Sequence, residues 1–182
     1  YIDFNSAKYL ALPDGTVPSA NSDYTVTARI NNVVLSGTVC TYLSSGTGFT
    51  NTYTGNVFSV LPPVGSTLGN YANFWSTYAG TETFKADNSQ INLNPNTVTF
   101  TYSSSDRNKL YVNNKLVSSG TITGSRSSST KNNYIGTGAD INSNRFNGQL
   151  YYLCIFNSLL SSTDRSTIES VSYTHLTLPT IL

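Results

Sequence analysis

The sequence predicts an all-β fold, an antiparallel two-sheet β-sandwich, and three observations carry that prediction. Short stretches of alternating apolar and polar residues recur along the chain, separated by clusters of Gly, Pro, Asn and Ser, as expected of half-buried strands joined by turns. Helical periodicity is nearly absent. Of the 182 residues, 38% are hydrophobic and 12% aromatic, mostly Tyr, which is enough for a core and too much for a disordered chain. The length suits one domain. Only 10% of residues are charged and the net charge is +1, with Lys and Arg scattered, so nucleic acid is excluded as a partner. No apolar run approaches the roughly 18 residues of a membrane-spanning helix. Ser, Thr and Asn together make up roughly two-fifths of the chain, well above ordinary usage.

Taken in order, Tyr1-Ile2-Asp3-Phe4 reads as a strand, and Pro13-Asp14-Gly15 as a turn. Tyr24 to Ile30 puts Tyr24, Val26, Ala28 and Ile30 on one face and Thr25, Thr27 and Arg29 on the other, as in a strand with one buried and one solvated side. Asn70 to Tyr78 sets Tyr71, Asn73, Trp75 and Thr77 against Ala72, Phe74, Ser76 and Tyr78, and Val98 to Tyr102 alternates the same way. Lys109 to Val117 is predicted as a hairpin, because Asn tolerates positive φ and Asn113-Asn114 can form a two-residue primed turn. Phe146 to Phe156, entered through Asn147-Gly148, is the longest strand candidate. Ser161-Ser162-Thr163-Asp164 offers an N-cap for one short helical turn, with Ile168 its apolar position. Leu61-Pro62-Pro63, Asn94-Pro95-Asn96, Ser103 to Ser105 and Ser125 to Thr130 read as loops. Cys40 and Cys154 lack zinc or redox spacing. They are expected to be buried thiols, with a disulfide as the alternative.

Three stretches in this order resemble the laminin-G-like family of concanavalin A-type lectin/glucanase jelly rolls. The first runs from Phe4-Asn5-Ser6-Ala7-Lys8-Tyr9-Leu10-Ala11-Leu12-Pro13 into Asp23 to Ile30. The second joins Val98 to Tyr102 to Leu110-Tyr111-Val112-Asn113-Asn114-Lys115-Leu116-Val117, which is similar to the family's Leu-Tyr-Val-Asn-Gly hairpin. The third joins Tyr134-Ile135-Gly136 to Phe146-Asn147-Gly148-Gln149-Leu150 and Ile155 to Ser161. The resemblance covers most of residues 1 to 170, less well from about Val33 to Asn94, and implies two antiparallel sheets packed face to face, one concave, with loops along the rims. Departures from the family pattern bear on function. Arg29 stands where the family usually has Trp, which removes the aromatic plug of that strand. Tyr151-Tyr152 stand where members typically carry Asp-Glu. Two tyrosines lack the carboxylate oxygens calcium prefers, so no calcium is expected there.

Glycosidases share this sandwich, and they need two carboxylates flanking the scissile bond. The acids are Asp3, Asp14, Asp23, Asp87, Asp106, Asp140, Asp164, Glu82 and Glu169, and no two lie two or four apart on one strand. Glu82 is the one isolated strand-like acid. Tyr1 opens the chain on a strand, so residues 1–170 are expected to form one domain cut from a longer protein. Val171-Ser172-Tyr173-Thr174-His175-Leu176 resembles a translated sequencing adapter of the kind found on uncleaned metagenomic assemblies. Residues 171–182 are thus expected to be a non-native tail, with a native last strand as the alternative. On the first view the single His lies outside the domain and no Ser-His or Cys-His arrangement remains.

A weakly charged sandwich can hold sugars by stacking aromatic rings on them and by Asn, Gln and Tyr hydrogen bonds. Two candidate sites follow. Asn73 and Trp75 share one side of their strand, against the alternative that Trp75 plugs the core. In the loop from Thr137 to Arg145, Asp140, Asn142, Asn144 and Arg145 can converge on a hydroxylated ligand, against the alternative that they satisfy their own backbone. The expectation is a non-catalytic carbohydrate-binding or adhesion module, without cofactor, from a larger extracellular, cell-surface or virion-surface protein. Its partners would be a glycan or cell-surface polysaccharide and the other domains of that protein. The alternatives are a structural or protein-interaction domain without a sugar site, and a glycosidase.

Overall fold

The computed structural model describes residues 1–5, 8–18, 22–32, 40–47, 54–61, 71–77, 81–85, 95–106, 108–120, 133–137 and 145–175. Among these residues, twelve strands and one helix follow in chain order: β1 (Ile2–Asn5), β2 (Leu10–Leu12), β3 (Tyr24–Asn32), β4 (Cys40–Thr47), β5 (Thr54–Leu61), β6 (Tyr71–Thr77), β7 (Thr81–Lys85), β8 (Asn96–Tyr102), β9 (Asn108–Val112), β10 (Lys115–Gly120), β11 (Asn133–Ile135), β12 (Asn147–Phe156) and α1 (Ser162–His175). The strands form two six-stranded antiparallel sheets, in the orders β1-β12-β3-β8-β9-β10 and β2-β11-β4-β5-β6-β7. This is the predicted antiparallel sandwich.

The core lies between the sheets. Tyr24, Val26, Ala28 and Ile30 of β3 are buried there with Val98, Phe100 and Leu110 of the first sheet and Leu43 of the second. The predicted alternation of β3 thus gives its core face. Tyr24 stacks on Tyr102 at 5.4 Å between ring centroids, and Phe4 meets Phe146 edge-on at 5.9 Å. The Asn113-Asn114 turn forms as expected, with φ of 49° and 61°, the left-handed values a primed two-residue turn needs. It also grips β8: Asn113 Oδ1 accepts from the Thr97 N–H at 2.9 Å, and the Asn113 N–H donates to the Thr97 carbonyl at 2.8 Å.

The other face of β3 differs from the expectation. Thr25, Thr27 and Arg29 are as buried as the core residues, with Arg29 only 5% exposed. The cause is a cover: the segment after β12 and then α1 lie over this outer face of the first sheet. Thr25 Oγ1 donates to the Ser158 carbonyl at 2.9 Å and accepts from the Leu160 N–H at 3.0 Å, while the hydroxyls of Thr27 and Thr99 share a 2.8 Å hydrogen bond. These hydroxyls are tolerated in such a layer because each has a hydrogen-bond partner.

The helix is also longer than the single turn the sequence suggests. It starts where predicted, since Ser161 Oγ accepts from the Asp164 N–H at 3.1 Å and donates to the Asp164 carboxylate at 2.7 Å, as an N-cap does. It then docks through polar chemistry. The Arg165 guanidinium lies 4.0 Å from the Tyr111 ring centroid, and Asn114 donates to Ser166. Glu169 accepts from the Asn114 N–H near Arg165 and Arg29, while burial pushes its carboxyl above the usual glutamate range. Arg29, standing where the family usually has Trp, has its guanidinium 5.9 Å from the Tyr151 ring centroid. Residues 171–175 continue α1, so they are not a last strand, and residues 176–182 lie outside the described residues.

Candidate functional site

In the second sheet the register sorts the residues of β6 onto two faces. Opposite residues in an antiparallel pair share a face. Leu43 is fully buried in the core and opposes Phe58, which opposes Phe74, which opposes Phe84. That row lies on the core side. The adjacent row runs Ala11, Tyr134, Ser44, Val57, Trp75, Thr83. Period-two alternation assigns this row to the outer face. Asn73, two residues from Trp75 and paired with Ser59 and Lys85, falls on the same face.

The second predicted patch begins beside this row. β11 is followed by Gly136, whose φ of 87° belongs to the region where only glycine is unstrained. A Cβ there would also run into the Phe4 ring. The chain then turns so that Ser44 Oγ donates to the Thr137 carbonyl at 2.9 Å, with both residues fully buried. The Phe146 N–H donates to the Gly136 carbonyl at 2.9 Å and closes the base of the loop. Arg145 is half-buried at the returning end. Asp140, Asn142 and Asn144 lie outside the described residues. Ser44 and Trp75 are two strand steps apart along the row, about 10 Å, so the root of this loop and the Asn73–Trp75 pair share one face.

One aromatic pair on that face was not singled out from the sequence. Tyr9 and Tyr134 meet edge-to-face at 5.5 Å between centroids, with Tyr9 40% exposed. The signal was present in Tyr9-Leu10-Ala11-Leu12, where Leu12 packs on the core and Ala11 is exposed.

Among the described residues the acids do not assemble. Asp23 accepts from the Ser104 N–H and hydroxyl, both at 2.8 Å, which holds its carboxyl below the ordinary range. Asp106 pairs with Lys109 at 3.1 Å, the Asp164 carboxylate accepts from the Ser161 cap of α1 at 2.7 Å, and Glu169 lies at α1 over the first sheet. Glu82 shares the parity of Phe84 on β7 and opposes Ser76, which puts it on the opposite side of the sheet from Trp75. Asp87 lies outside the described residues. At the family's acidic position, Tyr151 donates to Gln149 Oε1 at 3.0 Å and Tyr152 to Thr97 Oγ1 at 3.4 Å. Among the described residues no three His, Cys, Asp or Glu side chains group together as metal ligands would. Cys154 is a free, half-buried thiol pushed up in pKa by burial, the setting of an inert cysteine.

The fold has solved counterparts. Domain 4 of AbnA, an extracellular arabinanase from Geobacillus stearothermophilus solved with arabinotriose, superposes with a TM-score of 0.70. It is 18% identical, and the match covers 91% of this chain and 74% of that one. The sialidase module CBM40 of Ruminococcus gnavus, bound to α2,3-sialyllactose, gives 0.67 at 12% identity over 88% and 96% of the two chains. The pentraxin of Limulus polyphemus gives 0.60 at 16% identity over 91% and 79%. No curated protein matches the chain by sequence. At such identities these likenesses describe the fold, and the family rests on the sequence itself. A family model matches residues 4–164, and the chain belongs to the concanavalin A-like lectin/glucanase superfamily.

Proposed function

We propose that this domain is a non-catalytic carbohydrate-binding module of a larger extracellular or surface protein, and that it takes glycan on the outer face of the second sheet. The observation that carries the reading is the register of β6, in which Trp75 opposes Val57 and falls on the other side from the Leu43–Phe58–Phe74–Phe84 row. A tryptophan on a non-core face offers a flat apolar surface for the C–H face of a sugar ring. Asn73 adds an amide that donates and accepts to hydroxyls. Asp140, Asn142, Asn144 and Arg145 are the polar groups of the neighbouring loop that would complete the site. The low charge, 10% of residues with a net +1, suits a ligand recognised by stacking and neutral hydrogen bonds. Two similar modules carry arabinotriose and sialyllactose in their own structures.

The non-catalytic part of the reading rests on the acids. Hydrolysis needs two carboxyl groups facing one cleft. Of the described ones, Asp23, Asp106, Asp164 and Glu169 are held in local contacts, Asp14 lies in a turn and Asp3 on β1 of the first sheet, and Glu82 is on the other side of its sheet from Trp75. The test is a printed array of arabino-, xylo-, gluco-, galacto- and sialyl-oligosaccharides. Wild type should bind a subset, Trp75→Ala should abolish the signal and Asn73→Ala should weaken it. No binding, or binding untouched by both changes, sinks the site. Polysaccharide hydrolysis lost in Glu82→Gln would overturn the non-catalytic reading.

A further inference from the structure

The outer face of the second sheet holds more aromatic surface than the Trp75 position. Tyr134 lies in the same register row as Trp75, at β11, and its ring meets that of Tyr9 edge-on with an interplanar angle of 87°. An edge-to-face pair leaves the face of at least one ring open to a third partner. Tyr9 is 40% exposed, and neither tyrosine belongs to the core cluster. A pair that merely sealed the sandwich edge would be buried against that cluster, as Phe4 and Phe146 are.

From Tyr134 the row crosses β4 and β5 before reaching Trp75 on β6, three interstrand steps or about 14 Å. One sugar ring cannot touch both aromatic positions. A chain of linked sugars can, because its glycosidic bonds turn.

We infer that Tyr9 and Tyr134 form a second stacking subsite, and that the ligand is therefore an oligosaccharide several sugars long rather than a single terminal sugar. The inference rests on the proposed glycan-binding reading and names the ligand class for that face. The two fail differently in a length series. Titrations with arabino-, xylo- and gluco-oligosaccharides from disaccharide to hexasaccharide are run on wild type, Tyr9→Ala, Tyr134→Ala and Trp75→Ala, each checked by thermal melting. The expected result is an affinity gain of about tenfold from the short to the long sugars in wild type. Tyr9→Ala should remove that gain while short-sugar binding persists, and Tyr134→Ala should do the same. Tyr9 is exposed and precedes the strand, so its variant keeps the test valid if Tyr134→Ala unfolds. Equal affinity for all lengths, or a gain unchanged in Tyr9→Ala, overturns the second subsite and leaves the Trp75 reading standing. Binding of no sugar at any length overturns both.

Discussion

The two outer faces of this sandwich meet different fates. On the first sheet, α1 and the residues before it cover β3, β8 and β9, and the side chains beneath are Thr25, Thr27, Arg29, Thr97 and Thr99. On the second sheet, the corresponding side bears Tyr134, Trp75 and Asn73 by register, with Tyr9 exposed at its edge. A face of hydroxyls and an arginine is closed, while a face of aromatics and an amide is the one proposed to meet a ligand. The hydrophobic effect alone would order them the other way. Hydrogen bonds explain part of the closed face, because Thr25 bonds to the cover and Thr27 to Thr99.

Substitutions on the closed face should therefore change stability without touching glycan binding. Arg29→Ala is expected to have the largest effect, a loss of about 2–3 kcal/mol, because it removes packing and leaves the half-buried Glu169 with less positive charge. Urea unfolding should show a lower midpoint, and an unchanged midpoint would mean α1 holds the sheet only loosely. Thr25→Val should cost about 1–2 kcal/mol, since the Ser158 carbonyl and the Leu160 N–H both lose their partner. Equal stability of Thr25→Val would show that these groups turn to water instead.

The smallest effect is a pH dependence. Burial raises the folded-state pKa of Glu169, so folding favours its protonated form. Its contribution is complete below the unfolded glutamate value, about 4.3. It is lost as pH rises from there through the raised folded value. The stability of wild type relative to Glu169→Gln should thus fall as pH is raised through that window. A difference that is flat or rises with pH would place Glu169 in water or in a dominant ion pair.

These contrasts also explain what the sequence made legible. The core side of β3 was plain from Tyr24, Val26, Ala28 and Ile30, and the Asn113-Asn114 turn from the tolerance of Asn for positive φ. The cover was not. α1 docks through Arg165 on Tyr111 and Asn114 on Ser166, with Ile168 half-buried as the apolar position the sequence offered, so no helical apolar stripe marked its length. Thr25 and Thr27 read as solvent-facing because alternation reports polarity, and here polar residues are buried by mutual hydrogen bonding. For β6 the alternation separated Trp75 from Phe74 without saying which set faced the core. That needed Leu43 on β4, three strands of pairing away from Phe84, a non-local fact that no window of sequence contains. Tyr9 and Tyr134 became one feature only when β2 paired with β11.

The contrast between the faces is tested most directly by measuring oligosaccharide affinity and thermal stability together on wild type, Trp75→Ala and Arg29→Ala. The account predicts that Trp75→Ala loses binding and melts like wild type, while Arg29→Ala melts lower and binds like wild type. Trp75→Ala that binds unchanged, or that unfolds like a core truncation of about 3–5 kcal/mol, would contradict it.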